Sequence, residues 1–81
     1  MMVRVRLFAR VRDLAGTDAL VVEVQSGATI RNVRSALALR NPELAGLLPR
    51  CAFAVNNDVA PDETRVEADA DIAVLPPVSG G

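Results

Sequence analysis

The residues best suited to chemistry stand at the end of the sequence, in the run Pro76-Pro77-Val78-Ser79-Gly80-Gly81. The two prolines restrict the chain to an extended path and lack backbone donors. The two glycines have no β-carbon, so another protein's backbone can close tightly around them. At about 3.3–3.6 Å per residue, this segment reaches about 20 Å. It is therefore suited to deliver the Gly81 carboxylate into another protein's active site.

A bare carboxylate is a poor electrophile, so the Gly81 carboxylate must be activated before it reacts. The simplest activated form is an acyl-adenylate, in which sulfur can then replace one oxygen. The nine basic residues are all arginine, and histidine and lysine are absent. The chain therefore lacks the usual general base near neutral pH and any Schiff-base amine. We expect it not to be catalytic alone, with partner proteins supplying the catalysis.

Two other chemistries have little support. The single cysteine, Cys51, has no second cysteine or histidine with which to share a disulfide or a metal ion. Its position favours a small buried residue at the start of a strand, with a reactive thiol as the alternative. The acidic run at 67–71 lacks the glycine and the distal glutamate of a calcium loop. We therefore expect the chain to bind no metal ion. The acidic run is expected to be an exposed surface that keeps the protein in solution.

Charge and hydropathy weigh against two classes of partner. Nine basic and ten acidic residues give a net charge of −1, which is too balanced for nucleic-acid binding through bulk charge. No apolar run approaches the roughly 20 residues of a membrane span. Arg4 and Arg6 interrupt the first apolar stretch, which excludes a signal peptide there. We expect a cytoplasmic protein without nucleic-acid or membrane partners. We also expect Arg4 and Arg6 to lie on a solvated face of the sheet.

Apolar spacing predicts the elements that must position the tail. Alternation with a period of two predicts strands at residues 2–9, 19–25 and 71–75. Composition predicts a further strand at residues 51–56, and residues 59–60 are expected to add a very short edge strand before Pro61. The side chains expected to face the core are Val3, Val5, Leu7, Leu20, Val22, Val24, Ile72 and Val74, and those expected to face outwards include Phe8, Ala73 and Leu75. The pair Asn57-Asp58 indicates a turn. The short segment at residues 10–15 is expected to form a helical turn or a loop.

One main helix is expected between the second and third strands. Thr29 is the predicted N-cap, and Ile30, Val33 and Leu37 then form a single apolar stripe, with Arg34 outside it. The helix should end near Asn41, because Pro42 disfavours helical geometry in the residue before it. The leucines that follow, Leu44, Leu47 and Leu48, are expected to pack against the core.

A hairpin, a crossover helix and further strands together predict an α+β fold of the β-grasp type. Its mixed sheet has about five strands, with the main helix packed across one face. Residues 1–75 form this one domain, and residues 76–81 form an extended Gly-Gly tail. Phe8 and Leu75 then form an apolar spot beside the tail, which Val59 completes. Exposed apolar clusters tend to mark interfaces, although Phe8 could instead fold over a small second core.

Three segments carry a resemblance to a known family: the run from Val5 to Gly16, the short run Ala54-Val55-Asn56, and the run from Ile72 to Gly81. Over its full length the chain resembles the small subunit of molybdopterin synthase, the MoaD-type sulfur carriers of the ubiquitin-like β-grasp family. The proline pair, the small residues and the terminal Gly-Gly are the most specific part of this resemblance.

The resemblance implies a sulfur-donating subunit of a sulfurtransferase. A ubiquitin-activating-type adenylating enzyme would use ATP to activate the Gly81 carboxylate, and a sulfur donor protein would convert it to a thiocarboxylate. The carrier would then dock on the large synthase subunit, in a heterotetramer, and pass sulfur to cyclic pyranopterin monophosphate in molybdenum cofactor biosynthesis. Gly80 and Gly81 would be the reacting end, and this chain would bind no cofactor itself. The implied partner-binding residues are Phe8, Val59, Leu75, Pro76, Pro77, Val78 and Ser79.

Three alternatives stay open at the level of sequence. Sulfur carriers for thiamine, or for another sulfur-transfer pathway, also end in Gly-Gly. A ubiquitin-like protein modifier would form isopeptide bonds through Gly81, although without lysine it cannot build lysine-linked chains on itself. A plain interaction module with an inert tail is the third alternative.

Overall fold

A computed structural model describes residues 1–77 of the chain. Within that range the backbone forms five strands, two α-helices and two short 3₁₀ turns. The α-helices and strands are β1 (Met2–Leu7), α1 (Ala9–Ala15), β2 (Ala19–Glu23), α2 (Ile30–Arg40), β3 (Ala52–Val55), β4 (Asp58–Ala60) and β5 (Ile72–Leu75). The 3₁₀ turns are Pro42–Leu44 and Leu48–Arg50. Neither described α-helix is long and apolar enough to cross a membrane.

The five strands form one mixed sheet in the order β2-β1-β5-β3-β4. β1 pairs antiparallel with β2 and parallel with β5, while β3 pairs antiparallel with both β5 and β4. Within residues 1–77 the only parallel pair joins β1 to β5. The chain must therefore cross the sheet between these two strands, and α2 lies in that connection. This arrangement confirms the predicted α+β fold with one main helix.

One face of the sheet forms the core, and the period-two pattern explains which residues face it. On β1, Val3, Val5 and Leu7 are at most 1% exposed, and on β5 Ile72 and Val74 are fully buried. Phe53 on β3 is 1% exposed and is the largest of the fully buried side chains. The core therefore consists mostly of aliphatic side chains around one ring.

The main helix begins and ends where the sequence predicts. The Thr29 hydroxyl accepts a hydrogen bond from the Asn32 amide (3.4 Å), and the Asn32 side chain accepts one from the Thr29 amide (2.9 Å). This reciprocal pair satisfies two donors at the helix start. Asn41 is the C-cap, immediately before Pro42. The stripe Ile30, Val33 and Leu37 is fully buried, as are Leu44 and Leu48 to within 1%, while Leu47 is 9% exposed.

Several boundaries differ from the sequence-based expectation. Residues 9–15 form a true helix, α1, because Val11 is fully buried and anchors it. β1 ends at Leu7 and β2 at Glu23, both two residues earlier than predicted. Ala73 lies on the outer side of the sheet as predicted, yet it is only 6% exposed. Central strands of a sheet bury small side chains even on their open face, since neighbouring strands flank them on both sides.

Two side chains near α2 and β3 are more buried than polar residues usually are. The sequence predicts Arg34 outside the apolar stripe of α2, but its side chain is only 19% exposed. Cys51 is buried and precedes β3, as the structural interpretation of this residue expects, and its thiol donates to the Leu47 carbonyl (3.3 Å). Burial raises the pKa of the Cys51 thiol, and nearby Arg34 and Arg50 only partly oppose this effect. The thiol is therefore protonated and shielded at neutral pH.

The hairpin between β3 and β4 turns at Asn56-Asn57, one residue before the predicted turn at Asn57-Asp58. Both asparagines have positive φ, 51° and 73°, and Val55 pairs with Asp58 across them. Positive φ at both central residues is the pattern of a two-residue type I′ turn, which asparagine and glycine tolerate best. Asp58 is therefore the first residue of β4.

Asn57 offers a direct test of this turn. We expect Asn57→Gly to change the free energy of unfolding by no more than about 0.5 kcal/mol, because glycine adopts positive φ freely. Asn57→Val should lower it by about 1–2 kcal/mol, because a β-branched side chain is strained in that conformation. Urea unfolding of both variants measures the difference. Equal stability of the two would show that residue 57 does not hold this turn geometry in solution.

Candidate functional site

The face of the sheet opposite the core carries the candidate site. Its register forms a row of outward-facing positions across four strands. Ala54 on β3 lies opposite Val59 of β4 on one side and Ala73 of β5 on the other, and Ala73 in turn lies opposite Arg6 of β1. The middle of this face is therefore lined by small side chains, with larger ones around it.

Phe8 lies at the end of this face next to β1. It is extended (φ −131°, ψ 154°) and directly precedes α1, and Ala9 after it has a positive φ of 51°. Phe8 is 37% exposed, and its ring lies beside Arg6, whose guanidinium carbon is 5.4 Å from the ring centroid. Phe8 is not among the residues packed against the main core. More than a third of this residue is therefore open to a partner at this face.

Leu75 and Val59 share the outer side of the sheet with Phe8. Leu7 and Val74 form the last pair between β1 and β5, so Phe8 and Leu75 are the next residue along each strand. Leu75 is half-buried and lies opposite Ala52. Val59 is 70% exposed and occupies the β4 edge of the same side. The structure thus places the three predicted residues on one side, and we call Phe8, Leu75 and Val59 the apolar face.

The middle of the apolar face consists of Ala52, Ala54 and Ala73, of which only Ala73 is predicted from the sequence to face outwards. Two signals were available: Ala52 and Ala54 alternate with Phe53 and Val55, and Ala73 alternates with Ile72 and Val74. Alanine occupies three of the four outward positions of β3 and β5, with Leu75 as the exception, and this leaves a shallow floor. Such a floor lets a partner's side chains approach the sheet backbone closely.

The base of the tail is anchored at the centre of the sheet. β5 is the third strand of five and pairs on both sides, with β1 and with β3. Pro76 and Pro77 follow it directly; the first is half-buried and the second is exposed. Proline cannot donate to a ladder, so pairing stops there. The predicted functional residues Val78, Ser79, Gly80 and Gly81 lie outside the described residues.

The described residues contain little else that could do chemistry. In residues 1–77 there is no group of three or more cysteine, aspartate and glutamate side chains that could hold a metal ion. The Cys51 thiol is buried and lies at the start of β3. What residues 1–77 offer is an apolar face beside the base of a proline-led tail.

Together, the β2-β1-β5-β3-β4 sheet, the single main helix and the tail that leaves the central strand define a ubiquitin-like protein of the β-grasp class. Within this class the ThiS family matches residues 5–81. The chain belongs to the ThiS family.

Relatives and solved structures match the chain over nearly its whole length. It is 33% identical to a molybdopterin synthase sulfur carrier subunit from Arabidopsis thaliana, over 98% of this chain and 82% of the relative. It is 37% identical to the subunit of the same name from Haemophilus influenzae, over 99% of this chain and 100% of the relative.

Two solved structures represent different members of the fold. One chain from a complex of subunits 1 and 2 of the molybdopterin-converting factor from Helicobacter pylori aligns with a TM-score of 0.70 at 26% identity. The alignment covers 100% of this chain and 100% of that one. Small archaeal modifier protein 1 from Haloferax volcanii aligns with a TM-score of 0.86 at 25% identity, covering 95% of this chain and 98% of that one.

Proposed function

We propose that this chain is the sulfur carrier subunit of molybdopterin synthase. The observation that carries the proposal is the match, over 98–99% of the chain, to relatives of that name at 33% and 37% identity. The geometry agrees with it in two respects. The apolar face offers a docking surface, and the centrally anchored β5 holds the base of the tail at a fixed place beside that surface.

The reacting group in this proposal is the carboxylate of Gly81. An adenylating enzyme of the ubiquitin-activating type binds ATP; a carboxylate oxygen attacks the α-phosphorus and pyrophosphate leaves. A hydrosulfide equivalent (HS⁻) supplied by the donor protein then attacks the carbonyl carbon and AMP leaves, which gives a thiocarboxylate with no change of oxidation state. That sulfur attacks cyclic pyranopterin monophosphate to form an acyl–sulfur link to the pterin, and water then hydrolyses this link, which leaves the sulfur on the pterin and returns the carboxylate. The chain supplies reach and a narrow profile, and it binds no cofactor of its own.

The large synthase subunit is the proposed docking partner, since the Helicobacter pylori structure is a complex of subunits 1 and 2. Phe8, Val59 and Leu75 would pack against that subunit, and the segment 76–79 would lead the glycines into its active site. A dithiolene needs two sulfurs, so we propose a heterotetramer in which two carriers serve a central dimer of large subunits. The proposed compartment is the cytoplasm.

A second candidate function is protein modification. The similarity to a small archaeal modifier protein supports it, because that structure aligns with a TM-score of 0.86, against 0.70 for the complex of subunits 1 and 2 of the molybdopterin-converting factor, at nearly the same identity. In that function the adenylated Gly81 would be passed to a lysine of another protein rather than exchanged for sulfur. A carrier for thiamine or another sulfur pathway would share the thiocarboxylate but not the docking partner.

Intact-mass measurement separates these functions. The purified chain is incubated with ATP, its adenylating enzyme and a sulfur source, and we expect the mass to rise by one sulfur-for-oxygen exchange. Adding the large synthase subunit and cyclic pyranopterin monophosphate should restore the original mass and yield the pterin dithiolene. A charged chain that the large subunit does not discharge, but that a thiazole-forming system does, contradicts the proposal. So does a chain that appears only in conjugates with lysines of other proteins.

A further inference from the structure

An ion pair borders the apolar face on the β1 side. Arg6 donates from Nε to Oδ1 of Asp71 (2.8 Å) and from Nη2 to Oδ2 (2.9 Å), so the pair is bidentate. The two residues are 65 positions apart in the sequence. Their side chains are 38% and 46% exposed, so we expect the pair to contribute little to folding stability, as most exposed pairs do.

Asp71 is itself held in place by the β3–β4 turn. Its amide donates to the Asn56 side-chain oxygen (3.0 Å), and its carbonyl accepts from the Asn56 amide (2.8 Å). Asn56 is one of the two turn residues with positive φ. Asn56 thus holds both the N–H and the carbonyl of Asp71. The Asp71 carboxylate is therefore a well-placed anchor for a planar guanidinium group.

Arg6 links this anchor to Phe8. Its guanidinium carbon lies 5.4 Å from the centroid of the Phe8 ring, within the range of cation–π attraction. A guanidinium held at two points by a carboxylate has few other orientations, so Phe8 gains a fixed neighbour on one side. On the other side, the extended geometry of Phe8 and the positive φ of Ala9 fix the backbone.

We propose that Arg6, held by Asp71, is a positioning residue that pre-orients Phe8 for docking; this rests on the proposed function. Fixing an exposed ring before binding removes part of the ordering cost that docking otherwise incurs. Arg6 acts through Phe8, and Asp71 acts through Arg6. Substitutions at Asp71 and Phe8, made singly and together, can therefore test whether the effect of Asp71 on affinity requires the Phe8 ring.

The same arrangement indicates what the docking partner presents to this corner. Arg4, next to Arg6 on the outer side of β1, makes no ion pair among residues 1–77. The partner surface that fits is an apolar pocket for the Phe8 ring, with a carboxylate or carbonyl oxygen opposite Arg4.

The test measures affinity of the full-length chain for the large molybdopterin synthase subunit from the same organism by titration calorimetry. Asp71→Asn should weaken binding about three- to tenfold, the size expected when one side chain loses its pre-ordering. Asp69→Asn is the matched control, since it changes the net charge equally at a nearby exposed position with no ion pair in residues 1–77. It should weaken binding less than twofold. Arg6→Lys keeps the charge but cannot form the bidentate pair, and should resemble Asp71→Asn.

A double-mutant cycle distinguishes positioning from direct contact. In a Phe8→Leu background, Asp71→Asn should have no further effect on affinity, because there is no ring left to orient. A persistent effect would show that Asp71 or Arg6 acts independently of Phe8, and would overturn the inference. The inference would also be overturned if Asp71→Asn weakened binding no more than Asp69→Asn does. If Phe8→Leu itself leaves affinity unchanged, the docking part of the proposed function fails, which is a different result from failure of the inference alone.

Discussion

A chain extended by one alanine after Gly81 is expected to lose sulfur charging by more than about a hundredfold, while its fold is unchanged. Extension moves the terminal carboxylate by about 3.3–3.6 Å. Misplacing a reacting group by only 1 Å can cost about a hundredfold in rate. An adenylating enzyme that accepts the Gly81 carboxylate at a defined depth therefore cannot use the extended end. Intact mass after incubation with ATP, the adenylating enzyme and a sulfur source measures the loss.

Gly81→Ala provides the matched comparison, because it keeps the chain length and adds only a β-carbon. If the tail passes through a narrow channel, Gly81→Ala should charge more slowly than the unchanged chain but faster than the extended one. Thermal unfolding should give the same midpoint for all three, since the change lies beyond β5 and its partners. An extended chain that still supports pterin dithiolene formation would refute the proposed role of the Gly81 carboxylate.

Most of the fold was predictable because its signals are local. Strict alternation in β1 identifies the buried residues without knowledge of any partner strand, and the structure buries all three. The start and end of α2 follow from Thr29 and Pro42, each of which acts within one turn of the helix. α1 was harder, since seven residues are too few for a periodic pattern and only Val11 is buried.

The candidate site was predictable only in part, for a physical reason. Placing Phe8 and Leu75 on the outer side required only alternation within each strand, and the β1–β5 pairing then makes them neighbours. The burial of Ala73 on that side depends on which strands flank β5, and the sequence pattern of β5 alone does not indicate its neighbours. The Arg6–Asp71 pair joins residues far apart in sequence, and nothing in either local pattern indicates it. The reacting glycines rest on chemistry and resemblance alone, because they lie beyond residue 77.

Arg34 shows the same limit in the core, and it leads to the largest expected effect on stability. Sequence spacing puts it on the polar side of α2, but its guanidinium joins three parts of the chain. Nη1 donates to the carbonyls of Leu48 and Cys51, the latter at 2.9 Å, and Nη2 donates to Asp62 (2.7 Å). The guanidinium carbon also lies 4.7 Å from the centroid of the buried Phe53 ring. One long side chain thus ties α2 to the segment before β3 and to the acidic loop after β4.

Arg34→Ala is expected to lower the free energy of unfolding by about 3 kcal/mol. Truncation leaves the two carbonyls and the Asp62 carboxylate without this donor, and a hydrogen bond to a charged group is worth about 1.5–3 kcal/mol. These terms overlap and do not add fully. In a domain of this size, the loss corresponds to a fall in the unfolding midpoint of roughly 12–24 °C. Urea and thermal unfolding measure both quantities.

Two further variants show whether geometry or charge is responsible. Arg34→Lys keeps the charge but offers a single ammonium that cannot reach all three acceptors or stack on Phe53, so it should still cost about 1–2 kcal/mol. Arg31→Ala removes a charge from the same helix at a side chain that is 61% exposed, where the ion pairs with Asp62 and Glu63 are solvated. It should cost no more than about 0.5 kcal/mol. If Arg34→Ala and Arg31→Ala destabilise the chain equally, the contacts of Arg34 do not hold the segment before β3 against the helix, and the aliphatic core alone must do so.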